Sequence, residues 1–380
     1  MSDADQPAMP SPLRDGRIST GIPALDGVLG GGLIPGRLYL IEGSPGAGKT
    51  TLALQFLLDG RRRGERGLLI SLSETTEELQ VVAASHGWSL EGIDLFELSS
   101  AKNLAEPDHE TTLLHPWEVE LGEIIKPITD QADRVSPTRV VFDSVSEMRM
   151  LAAEQLRFRR QVLALKQFFA ARNTTVLLLD ELVSNNERDL QLQSLSHGVV
   201  RLERRTLDFG TARRRLEIAK MRGAPVREGW HDYVVRTGGI EVFPTLVVAA
   251  EMVPFTGEPV PSGIAELDAL LEGGPLRGTS TLLSGPSGSG KSTLVVQYIW
   301  AAAERGEHCA VYEFDERIGT LLIRATRLGL DLRPHIQSGL VTLLQLDPAQ
   351  IAPGEFAHII RKEVEEKGAR LIVIDSLNGY

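Results

Sequence analysis

Three features of the sequence predict an α/β protein with a parallel central sheet flanked by helices, present in tandem. Apolar, strand-like runs alternate with amphipathic, helix-like segments, the pattern of a sheet covered on both faces. The hydrophobic period then switches to two after His197, which signals an antiparallel extension. Finally, the chain resembles itself at an offset of 242 residues.

The elements follow in order. Leu38–Ile41 reads as a first strand, and a helix continues over Thr51–Arg61 with Leu52, Gln55, Phe56 and Leu58. Gly67–Leu72, Arg139–Asp143 and Thr174–Leu179 read as further strands. A long amphipathic segment, 152–172, lies between the last two. Val199–Arg205 and Arg213–Arg222 flank Asp208-Phe209-Gly210, a turn signal, so an antiparallel hairpin is expected there.

The repeat has no gap. Thr20-Gly21-Ile22-Pro23-Ala24-Leu25-Asp26 returns as Ser262-Gly263-Ile264-Ala265-Glu266-Leu267-Asp268, and 16 of the 36 positions from Thr20 to Gln55 are identical. A period this long exceeds that of solenoid repeats and means two domains of one fold. The expected organisation is a polar, disordered tail (1–16), a first domain (17–250), a linker (251–261) bearing Pro254, Pro259 and Pro261, and the N-terminal half of a second domain (262–380). Residues in phase with the later strands of the first domain would be numbered beyond 380, so a truncated second domain is expected.

Composition narrows the function classes. No run reaches the 18 or so consecutive apolar residues of a membrane span, and the N-terminus lacks a signal-peptide pattern. The reading is therefore a cytoplasmic protein without membrane contact. The single cysteine, Cys309, forbids an internal disulfide and any multi-cysteine metal site; it fits a buried position in a strand. Forty basic against 51 acidic residues give a net charge of −11, which argues against a protein that coats nucleic acid. Arg61–Arg63, Arg204-Arg205 and Arg213–Arg215 are local basic clusters, read here as solvated helix and strand ends.

Two segments carry nucleotide chemistry. Gly43-Ser44-Pro45-Gly46-Ala47-Gly48-Lys49-Thr50, followed by Thr51, matches the P-loop pattern GxxxxGK[ST]. Gly285-Pro286-Ser287-Gly288-Ser289-Gly290-Lys291-Ser292, followed by Thr293, matches it again. Each is expected between an apolar strand and a helix. The glycines let backbone N–H groups curl around phosphate oxygens, and the lysine places a charge at the β/γ-phosphates. Thr50 and Ser292 supply hydroxyls for Mg2+. Asp143 and Asp375 end the apolar runs RVVFD and RLIVID, where a carboxylate supports that ion. ATP and Mg2+ are thus the expected cofactors. Hydrolysis also needs a group to orient water. Glu74 follows the second strand, and its repeat partners are Asp315-Glu316. Lys220 and Arg222, two apart on a strand pattern, share one face and either solvate it or meet an anion.

The entry motif STGIPALDGVLGGGL, both P-loops, SLSETTEEL, VVFDS and LEIAKMRG together resemble the KaiC family, a branch of the RecA-like P-loop ATPases. The resemblance covers nearly everything from Arg17 onward. It implies a RecA-like fold and a ring, expected to be hexameric, with ATP between subunits. In that family a Lys and an Arg on one strand reach the neighbour's γ-phosphate, and Lys220 and Arg222 match them. Its tandem members carry paired acids after the second strand. Here the first copy has Ser73-Glu74 and the second Asp315-Glu316. The first site is therefore expected to bind ATP with atypical hydrolysis. Clock members also phosphorylate themselves beyond the second Walker B strand, so an autokinase reading applies only to a longer protein.

Three functions stay open on the sequence alone. One is a regulatory or signalling ATPase ring acting on an unidentified protein partner. Another is a DNA-dependent recombinase or helicase relative. The third is a nucleotide-gated scaffold with little hydrolysis.

Overall fold

The computed structural model describes residues 16–98, 116–151, 155–182, 192–207, 210–246 and 256–376. Most of the expected tail, residues 251–255 of the linker, residues 152–154 of the amphipathic segment, and the turn residues Asp208 and Phe209 lie outside them. The chain forms two compact units, a first ending at Thr245 and a second from Leu246.

The first unit opens with helix α1 (Pro23–Val28), strand β1 (Leu38–Gly43) and helix α2 (Lys49–Arg62). Then come β2 (Gly67–Ser71), α3 (Thr76–Ser85), β3 (Asp94–Glu97), α4 (Pro116–Val135) and β4 (Arg139–Asp143). Helices α5 (Val145–Leu151) and α6 (Gln155–Ala171) lead to β5 (Thr175–Glu181). Four strands close the unit: β6 (Gly198–Arg205), β7 (Arg213–Met221), β8 (His231–Arg236) and β9 (Gly239–Phe243).

These strands make one sheet in the order β3-β2-β4-β5-β1-β6-β7-β8-β9. It is parallel from β3 to β6 and antiparallel from β6 to β9. The expected hairpin is thus the first half of a four-stranded meander. Its later strands were hidden because HDYVVRTGGIEVF is too mixed in polarity to alternate cleanly. Strands β1, β2 and β4 are buried throughout, which is why they read as continuous apolar runs. One face of the sheet carries α1, α2 and α3; the other carries α4, α5 and α6.

The repeated entry motif has a structural reason. Asp26 is buried and accepts hydrogen bonds from Ser19 Oγ (2.6 Å), Thr20 N (2.8 Å) and Thr20 Oγ1 (2.7 Å). Asp268 likewise accepts from Ser262 N and Oγ, both at 2.7 Å. The motif folds the chain entry against the first helix of each unit.

The second unit contains α7 (Ala265–Leu270), α8 (Lys291–Glu304), β10 (Cys309–Glu313), α9 (Ile318–Arg327) and α10 (Arg333–Gln337). It continues with β11 (Val341–Gln345), α11 (Pro353–Lys367) and β12 (Leu371–Asp375). Its sheet has three parallel strands, β11-β10-β12, in the same order as β3-β2-β4 of the first unit. The last residues of the expected linker pack within this unit, where Val260 N donates to Pro275 O at 2.7 Å. Cys309 is buried in β10, as its strand context suggested.

One expectation needs correction. Residues 281–284, before the second P-loop, form no strand and are exposed. The corresponding strand of the first unit, β1, is held by β5 and β6 on its two sides. An apolar run without a ladder partner leaves its backbone groups to water.

Candidate nucleotide site

The first P-loop joins the end of β1 to the start of α2. Gly48 precedes α2 with φ +98° and Gly46 has φ +72°, so both need the left-handed region that glycine tolerates. A Cβ at Gly43 would meet Leu202 O of β6 at 2.7 Å. The loop is therefore both sterically and conformationally tied to glycine. Lys49 Nζ folds back and donates to Gly43 O (2.9 Å) and Ser44 O (3.3 Å). Burial lowers its pKa, against the raising influence of Glu181, Asp143 and Asp180.

Asp143 stands at the tip of β4, in register with Ser71 of β2 and Leu179 of β5. Thr50 Oγ1 donates to its Oδ2 at 2.8 Å. Residues 93 apart in sequence thus present a hydroxyl and a carboxylate to one point. Burial raises the Asp143 pKa, opposed by the Thr50 hydrogen bond and Lys49. A buried carboxylate that is costly to keep charged without a cation, with a hydroxyl beside it, is an oxygen-only donor pair that fits Mg2+.

Glu74 follows β2. Its backbone N–H donates to Ser71 Oγ at 3.0 Å, and Ser71 Oγ donates to its carbonyl at 2.5 Å. This clasp fixes the turn, while carboxylate Oε2 is buried without a partner. Burial raises the Glu74 pKa first, then the nearby charges of Asp143 and Glu78. Ser73 is exposed. Glu78 completes a capping box with Thr75 and so serves α3.

Sequence reasoning missed several neighbours of the site. Asp180 and Glu181 end β5 and act electrostatically on Lys49. The run VLLLDE carried the same signal as RVVFD, an apolar strand ending in acid. Asp180 accepts from Ser146 Oγ (2.8 Å) and pairs with Arg149 (2.5 Å). From the meander, Tyr233 Oη donates to Ala47 O at 2.5 Å. Arg214 reaches toward Gly46 O at 3.4 Å, so one basic strand end lies against the P-loop rather than in open solvent.

Lys220 and Arg222 lie elsewhere. Lys220 pairs with Val199, and Val199 with Leu40, so Lys220 lies level with the N-terminal half of β1. The P-loop is at its other end. Leu40 lies three residues before Gly43 and β7 is two strands from β1, so about 10 Å along the strands and about 10 Å across them separate Lys220 from the P-loop. Strand β7 stops at Met221, and Arg222 sits one residue past it. The two side chains still reach one segment: Lys220 Nζ donates to Gln193 O, and Arg222 Nη2 to Ser194 O at 3.4 Å.

In the second unit the P-loop lysine repeats its fold-back, with Lys291 Nζ donating to Gly285 O (2.7 Å) and Pro286 O (3.0 Å). Gly290 takes φ +91° before α8. Asp375 is in register with Glu313, which stands where the first unit has Ser71. Glu313 is buried with neither carboxylate oxygen hydrogen-bonded, and its pKa is pushed up to about 8 by burial and then by Asp375 and Glu316. Asp315 accepts from Ser376 Oγ. Glu316 is held by Arg324.

A family model described as "ATPase: KaiC" matches residues 18–247 and 260–380. The chain belongs to the KaiC ATPase family. Its members include the circadian clock oscillator protein KaiC of Picosynechococcus sp., 28% identical over 95% of this chain and 70% of that protein. The circadian clock protein KaiC2 of Synechocystis sp. is 30% identical over 86% of this chain and 57% of its own length. KaiC of Thermostichus vulcanus is 26% identical over 95% and 70%. Family membership accounts for the paired P-loops and for a large, mostly parallel sheet. Among the described residues, no helix is long and apolar enough to cross a membrane.

Proposed function

We propose that this KaiC-family chain binds and hydrolyses ATP, held between subunits of a ring, and uses the cycle to regulate a protein partner. The meeting of Thr50 with Asp143 beside the unpartnered Glu74 Oε2 carries this reading. The P-loop backbone and Lys49 would hold the phosphates. Mg2+, bound by Thr50 and Asp143, would neutralise charge on the transferred phosphoryl group. Glu74 is the base that aligns water and takes its proton as the oxygen–phosphorus bond to ADP breaks. Lys220 and Arg222 are too far from their own P-loop to help it, which favours delivery to a neighbouring copy. In the second unit Lys291, Ser292 and Asp375 play the corresponding binding roles, with Asp315 and Glu316 as candidate catalytic acids.

Mixing two dead variants tests this. Lys49→Ala subunits lack nucleotide at the first site but keep their cations. Arg222→Ala subunits have the reverse defect. With Lys291→Ala in both to silence the second site, turnover recovered in the mixture supports action between subunits. No recovery, with both variants folded and assembled, refutes it.

A nucleotide-gated scaffold is the second reading, and exposed Ser73 in place of a carboxylate favours it for the first site. It requires ATP-dependent assembly with negligible phosphate release. Stimulation by single-stranded DNA with a steep salt dependence would instead revive the recombinase reading.

A further inference from the structure

The start of β1 carries more positive charge than Lys220 and Arg222 alone. Three cations hold three successive carbonyls of the helical turn at 192–195. Lys220 donates to Gln193 O, Arg222 to Ser194 O at 3.4 Å, and Lys166 of α6 to Leu195 O at 2.7 Å. A fourth cation, Arg37, lies against the imidazole of His197, 3.4 Å from its Nε2. Among the described residues, none of Lys166, Lys220, Arg222 or Arg37 has a carboxylate within ion-pair distance.

Such convergence is unfavourable without an anion. The end of a helical turn offers about half a negative charge at best, against three converging cations. The crowding shows in the two lysines. Burial lowers the Lys166 pKa, with Arg222 and Arg37 adding to it. Burial also lowers Lys220, with Arg222 and Lys166 adding. A solvated face would spread its lysines into water, whereas here they are drawn to one segment from two different elements.

We propose that Lys166 is a third member of the phosphate-reading set, acting with Lys220 and Arg222 on the terminal phosphate of a nucleotide held by a neighbouring copy. The proposal rests on the between-subunit reading above. His197 fixes the cluster to the edge remote from the chain's own P-loop, because it bonds both backbone groups of Leu38. His197 N donates to Leu38 O at 2.8 Å, and Leu38 N donates to His197 Nδ1 at 3.3 Å. When a phosphate arrives, Lys166 exchanges a neutral carbonyl for a charged oxygen, a contact roughly twice as strong.

Lys166→Gln is the informative variant, because glutamine can still donate to Leu195 O but carries no charge. In the full chain with Lys291→Ala, this change is expected to lower Mg·ATP turnover about 10- to 100-fold. Lys166→Arg should retain most of it. Lys166→Gln mixed with Lys49→Ala should regain turnover, because one interface then pairs an intact P-loop with an intact cation set. Unchanged turnover in Lys166→Gln would overturn the proposal. So would a loss that mixing fails to restore while Arg222→Ala mixed with Lys49→Ala is restored, since Lys166 would then act within its own subunit. If neither mixture recovers, the between-subunit reading falls and the role of Lys166 falls with it.

Discussion

Arg324 grips Glu316 with both terminal nitrogens, at 3.0 and 2.7 Å. The first unit has no such partner: Val82 occupies the phase of Arg324, and Glu74 keeps a buried oxygen unbonded. The two copies thus hold their corresponding glutamates in different states, one engaged by a cation and one with a buried, unbonded oxygen.

The Arg324–Glu316 pair should be measurable as a coupling. Its side chains are 33% and 25% exposed, so solvent screens it and about 1 kcal/mol is expected. A double-mutant cycle of Arg324→Met and Glu316→Gln, read by urea unfolding of the second unit, gives the value. Additive single effects would mean that the pair does not hold Glu316.

Glu74→Gln should keep nucleotide affinity and lower phosphate release about 10²-fold or more. Burial and the charges of Asp143 and Glu78 raise the Glu74 pKa above its ordinary 4.5. A base acts ionised, so turnover is lost as pH falls through this raised value. Glu78→Gln removes one raising charge, yet glutamine still serves the capping box. The acid limb of the pH–rate profile should then move to lower pH. A limb that stays fixed would remove Glu74 as its origin.

Arg139 is the main buried charge of the first unit. Its side chain has no exposure; it pairs with Glu65 at 2.5 Å and Asp59 at 3.4 Å, and it donates to Phe56 O at 2.6 Å and Ser19 O at 2.9 Å. Arg139→Met strands Glu65 and leaves two backbone carbonyls without their donor, and should cost about 3 kcal/mol. Asp59 keeps Arg63 at 2.7 Å, which limits the loss. Urea unfolding checks this, and a cost below about 1 kcal/mol would show that packing, not charge, is what matters there.

His197 should make the first unit acid-sensitive. Its pKa is lowered from 6.5 to about 4 by burial first, then by Lys166, Arg37 and Arg222. The unfolded chain therefore takes up a proton below 6.5 that the folded chain refuses. Stability is full above pH 6.5 and is lost as pH falls toward 4. Partial solvent contact limits the effect to about 1–2 kcal/mol. His197→Asn should flatten that slope in urea titrations at pH 7.5 and 4.5; parallel slopes in both proteins would contradict it.

Much of the site was legible in the chain. Glycine spacing announced both P-loops, because only glycine permits Gly46 and Gly48 their positive φ. The apolar run ending in Asp143 marked a strand tip. The same signal at Asp180 went unread, because no motif attached to it. Tyr233 and Arg214 could not be placed against the P-loop beforehand. Their contact depends on how the meander folds back, and that is set by pairing across the sheet.

The sequence by itself determined the two copies, the nucleotide loops and the strand-and-helix alternation, all of which follow from local backbone demands and hydrophobic period. Tertiary structure decided what strand order decides. It brought Thr50 to Asp143 and put Lys166, Lys220 and Arg222 at the edge remote from their own P-loop. Each outcome depends on which strands lie side by side, and hydrogen-bond partners distant in sequence leave no mark on the local pattern.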